Sequence, residues 1–172
     1  MYLGSRIMVL GSAGSGKSTL AIRLGEITGL PVIHLDRLFW NPGWVQTPDA
    51  EMDKKVAEAA SGESWIIDGN YSRTIDFRLS RAETIIFIDF GRYFCIFRVL
   101  KRRIKNHGKT RYDLGDGCPE KIDREFLKWI WNYPKRSRKN TLEKIYQSGK
   151  TVYHLRTRKE VKYFFKKSLD NP

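Results

Sequence analysis

Eight consecutive residues have types and spacing that could do chemistry: Gly11-Ser12-Ala13-Gly14-Ser15-Gly16-Lys17-Ser18 fill G-x-x-x-x-G-K-[ST] at every fixed position. Glycine lets such a loop fold into a cup whose N–H groups point inward at an anion. A helix opening at Lys17 adds unpaired N–H groups and the positive end of its dipole. Lys17 can reach the terminal phosphates of a bound polyphosphate, and Ser18 can offer a hydroxyl to Mg²⁺. Gly11 to Ser18, with Thr19 beside them, are therefore the expected binding residues for ATP and Mg²⁺.

Further groups fall at the ends of apolar runs. Asp36 and Arg37 follow Pro31-Val32-Ile33-His34-Leu35, and Asp68-Gly69 follow Ser64-Trp65-Ile66-Ile67. A carboxylate at the end of an apolar strand can orient Mg²⁺ directly or through water, the role expected of Asp68. Arg98 and Arg102 lie four apart and share one helix face, with Arg103 beside it. Arg73 offers a planar fork for an acceptor phosphate or carboxylate, or a surface ion pair with Asp76 or a neighbour. Trp40 and Trp44 can pack onto the core or flank a flat acceptor. The cluster Lys135-Arg136-Ser137-Arg138-Lys139 reads as a solvated face, a nucleic-acid patch, or a source of one arginine, such as Arg138, aimed at the transferred phosphate. Cys118 with nearby His107 cannot complete a four-ligand structural zinc site, so no zinc is expected.

The elements that must position these groups alternate between strand-like and helix-like, which predicts an α/β fold with a largely parallel sheet. Strands are expected at 6–10, 31–35, 64–67, 84–88 and 151–155, each a short apolar run. Helices are expected from about 17 to 28, 48 to 60, 92 to 106 and 159 to 169. Another spans 120–147 in two pieces because Pro134 interrupts it. Their inward faces are read as Phe94, Phe97, Leu100 and Ile104, then Phe126, Leu127, Ile130, Trp131, Leu142 and Ile145, then Val161, Phe164 and Phe165. The whole chain, 1–172, reads as one domain, with an acceptor-site insert near 37–62 and a Gly-rich mobile lid near 107–119.

Composition narrows the class. The chain has 172 residues, and 41% hydrophobic content is enough for a core. No apolar run spans a bilayer, and the N-terminus lacks the layout of a signal peptide. Two cysteines make no disulfide framework, so a reducing cytoplasm and no membrane partner are expected. Charge is uneven: residues 1–90 carry 9 Lys/Arg against 11 Asp/Glu, whereas residues 91–172 carry 23 against 8. Such a basic half suits a lid over polyphosphate or a surface for nucleic acid.

The order of these motifs resembles the adenylate-kinase-like branch of the P-loop kinases. The carrying residues are the P-loop, Asp36 after strand two, Asp68-Gly69 after strand three, and Arg98-x-x-x-Arg102-Arg103 after strand four. The block Ile66 to Thr74 is similar to that branch's Leu-Asp-Gly-Phe-Pro-Arg-Thr segment. Around His34-Leu35-Asp36, Phe39-Trp40 and Asp68-Gly69-Asn70-Tyr71 the chain resembles the DNA topology modulation proteins, relatives of adenylate kinase. The resemblance implies a three-layer fold with a five-stranded parallel sheet in the order 2-3-1-4-5. It also implies ATP, Mg²⁺ and phosphoryl transfer. By that resemblance Lys17 holds the phosphates, Ser18 and Asp68 serve Mg²⁺, Arg98 lies on the adenine and Arg102 reaches the phosphates. Gly69 and Arg73 would contact the acceptor. Two departures leave the acceptor open: the block around Arg73 is one residue longer and lacks the proline, and Asp36 sits where small-metabolite kinases bind an acceptor hydroxyl.

Two functions compete at this point. One is a small kinase passing the γ-phosphoryl group of ATP to a nucleotide, nucleoside or small hydroxylated acceptor, with Lys17, Arg102, Asp36 and Arg138 at the chemistry. The other is an ATP-binding, nucleic-acid-associated protein with weak or no kinase activity.

Overall fold

The computed structural model describes residues 3–169. Its centre is a parallel sheet of five strands: β1 (Arg6–Gly11), β2 (Val32–His34), β5 (Trp65–Asp68), β6 (Thr84–Ile88) and β7 (Thr151–Leu155), with a two-strand hairpin, β3 (Trp40–Asn41) and β4 (Val45–Gln46), set apart. The spatial order is β2-β5-β1-β6-β7, which is 2-3-1-4-5 when the sheet strands alone are counted. Every pairing is parallel, with Val9 opposite Asp68, His34 opposite Asp68 and Gly11 opposite Ile88. Gly11, His34, Asp68 and Ile88 thus share the carboxyl edge of the sheet, where ligands gather in open α/β folds.

Both sheet faces are covered, which is why the strands read as unbroken apolar runs rather than alternating ones. Along β1, Met8 and Leu10 join one core cluster, with Met52, Val56, Trp65, Leu79, Phe87 and Ile145. Ile7 and Val9 join the opposite cluster, with Leu20, Leu24, Ile66, Ile86, Phe164 and Phe165. Helices α3 (Asp49–Ser61), α4 (Ile75–Arg81) and α7 (Lys139–Gln147) lie against the first face, while α1 (Lys17–Thr28) and α8 (Arg158–Leu169) lie against the second. α1 opens at Lys17 and stops at Gly29.

Three local expectations are corrected. The strand expected over 31–35 ends at His34, and the chain turns at once into a short helix, α2 (Leu35–Phe39), so Asp36 stands in a first helical turn. Five residues are too few to leave a helical period in the sequence. The helix expected at 120 begins instead as α6 (Arg124–Tyr133): Asp123 caps it by accepting from the Phe126 N–H at 2.8 Å, which leaves Glu120 outside the helix. Pro134 does not split the helical run, because a π turn over Pro134–Arg138 carries α6 into α7. A wider turn absorbs the hydrogen bond that proline cannot donate.

The inward face of α5 (Arg92–Lys105) is also different from expectation. Cys95 and Val99 are its buried residues and pack on Ile130, whereas Phe97 is 63% exposed, Leu100 44% and Ile104 80%. Trp131, expected inside, is 43% exposed. The helix instead turns Arg98 and Arg102 toward partners on the P-loop and near the lid, which rotates its apolar stripe outward.

Candidate active site

The loop between β1 and α1 has the shape expected of an anion cradle. Gly14 lies at φ +79°, and a Cβ there would come within 2.4 Å of the Cys95 carbonyl oxygen and 2.9 Å of Val99. Gly16 lies at φ +99°, with the Arg98 guanidinium 2.9 Å from where a Cβ would stand. Only glycine gives the loop this path without displacing α5. The hydroxyls of Ser12 and Ser15 are buried without a hydrogen-bond partner. Buried polar atoms are normally paired, so these two hydroxyls have hydrogen-bonding capacity that the protein itself does not use.

Lys17 follows the cup. Its burial works against the charge, but the carboxylates of Asp68, Asp36 and Asp113 outweigh it and raise its pKa above the ordinary lysine value. Lys17 Nζ lies 4.0 Å from Asp68 Oδ1, an oxygen that is buried and has no hydrogen-bond partner. The other oxygen, Oδ2, is 2.9 Å from His34 Nδ1, so His34 sets the carboxylate's orientation. Ser18 faces Asp113, whose carboxylate is held below the usual range: burial opposes the charge and the Arg111 guanidinium overrides it.

These donors fit ATP with Mg²⁺. Ser18, Asp68 and Asp113 are hard oxygen groups of the kind Mg²⁺ takes alongside phosphate oxygens. Among the described residues, no group of three or more His, Cys, Asp or Glu could hold a metal without the phosphates. Asn70 pins the start of the cup, accepting from the Gly11 N–H at 3.0 Å and donating to its carbonyl at 2.9 Å.

A cavity of about 240 Å³ opens beside the cup, lined among others by Ser15, Thr19, Phe90, Arg98, Arg158 and Val161. Arg98 donates to the Ser15 carbonyl at 3.1 Å, which places its planar group along the cavity wall. The stripe Arg98-Arg102 is therefore split in use. Arg98 meets the cup, whereas Arg102 binds Glu120 at 3.1 Å.

The segment 107–119 packs down in this structure. Gly115 meets the Trp40 carbonyl, the Gly43 N–H donates to Gly117 O at 3.0 Å, and the Trp44 indole donates to Pro119 O at 3.0 Å. Leu114 and Cys118 are buried. Arg111 donates to Asp113 at 2.8 Å and to Glu120 at 2.8 Å, so Glu120 ties Arg111 of this segment to Arg102 of α5.

Opposite the cup, Asp36 accepts from the Tyr71 hydroxyl at 2.8 Å. Burial and then Asp36 push that hydroxyl's pKa far up, so it stays a donor. Tyr71 has φ +32°, a region bulky residues seldom adopt. Arg78 holds that turn: fully buried, it donates to the carbonyls of Gly69, Asn70 and Tyr71. Burial pushes the pKa of Arg78 down to about 10.

Of the residues singled out from sequence, Gly11 to Ser18, Asp68 and Asp36 come together around Lys17. Arg98 and Thr19 line the adjoining cavity. Three others are engaged elsewhere. Arg73 is held by Asp53 at 2.8 Å and Asp49 at 2.9 Å, rather than by Asp76. Arg138 makes two bonds to Asp89, at 2.8 and 2.7 Å, so its fork is committed there instead of lying free for a transferred phosphate. Trp40 is half-buried between Phe39 and Trp44, which fits its packing role. Sequence reasoning passed over His34, Asn70, Tyr71, Arg78, Arg111, Asp113 and Glu120. His34, Asn70 and Tyr71 stand in the blocks that carry the family resemblance, and the mixed-charge loop Arg111-Tyr112-Asp113 carried a visible sign of pairing; Arg78 and Glu120 carried none.

No protein-family model matches the chain, and no curated protein matches it. Solved structures do. Shikimate kinase from Acinetobacter baumannii, in complex with shikimate, is similar with a TM-score of 0.60 and 12% identity, over 98% of this chain and 94% of that one. Shikimate kinase from Bacteroides thetaiotaomicron is similar with a TM-score of 0.54 and 20% identity, over 96% of this chain and 97% of that one. The grouping with DNA topology modulation proteins finds no support in these similarities. What they establish, over nearly the full length, is that this chain has the α/β fold of P-loop kinases.

Proposed function

We propose that this protein is an ATP-dependent phosphotransferase that passes the γ-phosphoryl group to the hydroxyl of a small acceptor. One observation carries the reading: the loop Gly11–Ser18 buries two serine hydroxyls without hydrogen-bond partners, and its Lys17 lies 4.0 Å from the partnerless Asp68 Oδ1, with Asp36 near enough to raise the Lys17 pKa. A donor phosphate and an acceptor hydroxyl can then meet in one place.

In this reading the amides of Gly11 to Ser18 and the ammonium of Lys17 bind the β- and γ-phosphates, and Arg98 lies along the base. Mg²⁺, held through Ser18 and Asp68, would neutralise phosphate charge. Asp36, oriented by Tyr71, receives the proton of the acceptor hydroxyl. That oxygen bonds to the γ-phosphorus as the bond from phosphorus to the β–γ bridging oxygen breaks, and ADP leaves. Arg111, paired with Asp113 and Glu120 and near enough to act on Lys17, closes the site on the side of residues 107–119. Catalysis of this kind is mostly positioning and charge stabilisation. Residues 37–62 would form the acceptor side, and residues 107–119 the lid that excludes water. Within the basic second half, Arg98 meets the cup and Arg111 stands near enough to Lys17 to act on its charge, which supports this reading.

The test is Lys17→Ala. The variant should keep its circular-dichroism spectrum and lose Mg·ATP binding and ADP formation. Full turnover in a folded variant would remove the proposed site.

A further inference from the structure

The acceptor side differs from the donor side in charge. Among the described residues, the arginines near it other than Arg37 are already engaged. Arg73 is clamped between two aspartates, Asp49 and Asp53. Arg78 has no exposed surface and is bound to backbone carbonyls. Arg111 and Arg102 are tied to Asp113 and Glu120. Arg37 is exposed and follows Asp36 directly on α2. Successive helical positions point roughly 100° apart, so it does not share the direction in which Asp36 meets Tyr71. The carboxylates, in contrast, converge: Asp36, Asp68 and Asp113 all act on Lys17. Aromatic rings stand around them, with Phe39 against Tyr71 at 5.0 Å and Tyr112 of the lid against His34 at 5.9 Å.

Resting on the phosphotransferase reading, we infer that the acceptor is an uncharged hydroxylated ring compound, a nucleoside or neutral sugar, and neither a nucleoside monophosphate nor a carboxylic acid. A monophosphate or carboxylate entering beside Asp36 would meet carboxylates and, among the described residues, no unengaged arginine on the side of α2 that faces Tyr71, and burying an unpaired charge is strongly unfavourable. A neutral ring loses little on entering. Its hydroxyl satisfies Asp36, and its faces rest on Phe39, Tyr71 and Tyr112.

The experiment measures ADP formation by the wild-type chain with Mg·ATP and matched probes. These are adenosine, guanosine, thymidine, ribose and glucose, then the three 5′-monophosphates, then shikimate as a carboxylate. At least one neutral probe should raise turnover by about tenfold or more over the acceptor-free rate. Its anionic counterpart should keep no more than about a tenth of that kcat/KM. A monophosphate or shikimate used as well as or better than every neutral probe overturns the inference, and so does a panel in which no neutral probe raises turnover. Mg·ATP binding followed by calorimetry separates this from the reading it rests on. Binding that needs Lys17, combined with anionic acceptor preference or no neutral acceptor, sinks only the acceptor class. Absence of Lys17-dependent binding sinks the phosphotransferase itself.

Discussion

Replacing Glu120 by glutamine tests how the lid is held. The Glu120 side chain is 1% exposed and bridges Arg102 at 3.1 Å and Arg111 at 2.8 Å. Glutamine keeps the volume and removes the charge, so two largely buried guanidiniums lose the carboxylate they share. Breaking a buried pair costs about 3–5 kcal/mol. Arg102 is 27% exposed and regains some hydration, which brings the expected loss to about 2–4 kcal/mol. Urea unfolding followed by circular dichroism would read this as a lower midpoint with unchanged slope. Mg·ATP should then restore more stability to the variant than to the wild type, because phosphate oxygens can take the place of the missing carboxylate. A midpoint shift worth less than about 0.5 kcal/mol, the range of ordinary surface changes, would refute the bridge. An equal ATP effect in both proteins would refute the link between lid and phosphate.

Other consequences can be checked directly. Gly14→Ala forces a side chain into a left-handed position with an atom 2.4 Å from a carbonyl oxygen, so it should lower stability by about 1–3 kcal/mol and abolish Mg·ATP binding; retained affinity would show that the loop has room. Arg78→Met leaves three carbonyls without their donor at the Gly69–Tyr71 turn and should destabilise by about 3 kcal/mol or more; a thermal-denaturation midpoint within a degree of wild type would contradict that. The depressed pKa of Asp113 has a signed consequence: its stabilisation is complete above the unfolded carboxylate value of about 3.9 and is lost as pH falls through the lower folded value. Asp113→Asn should therefore flatten the acid limb of stability below about pH 4 in urea titrations, and an unaltered limb would disprove the Arg111 pairing.

Much of the frame was legible in the residues themselves. A parallel strand buried on both faces needs an apolar run whatever its neighbours, so Ile7–Leu10, Ile66–Ile67 and Thr84–Ile88 announce themselves. A phosphate cup needs specific backbone freedom followed by a helix start, and Gly16-Lys17 encode both locally. Those demands are short-range. They brought out the sheet, its order through the family likeness, and the cluster of Lys17, Ser18 and Asp68.

What depended on distant partners was not legible. Gly14 falls at a free position of the motif, yet Cys95 on α5 makes it indispensable. Phe97 and Ile104 have the period of a buried stripe and face water, because Arg98 and Arg102 claim the inner side of α5 through Ser15 and Glu120. Arg138 carries the same charge as Arg111, and only the meeting with Asp89 sends it to a structural pair. Charge and hydrogen-bond capacity belong to a residue alone; which partner takes them is decided by chain segments far apart in sequence that the fold brings within about 3 Å, the range where such contacts act.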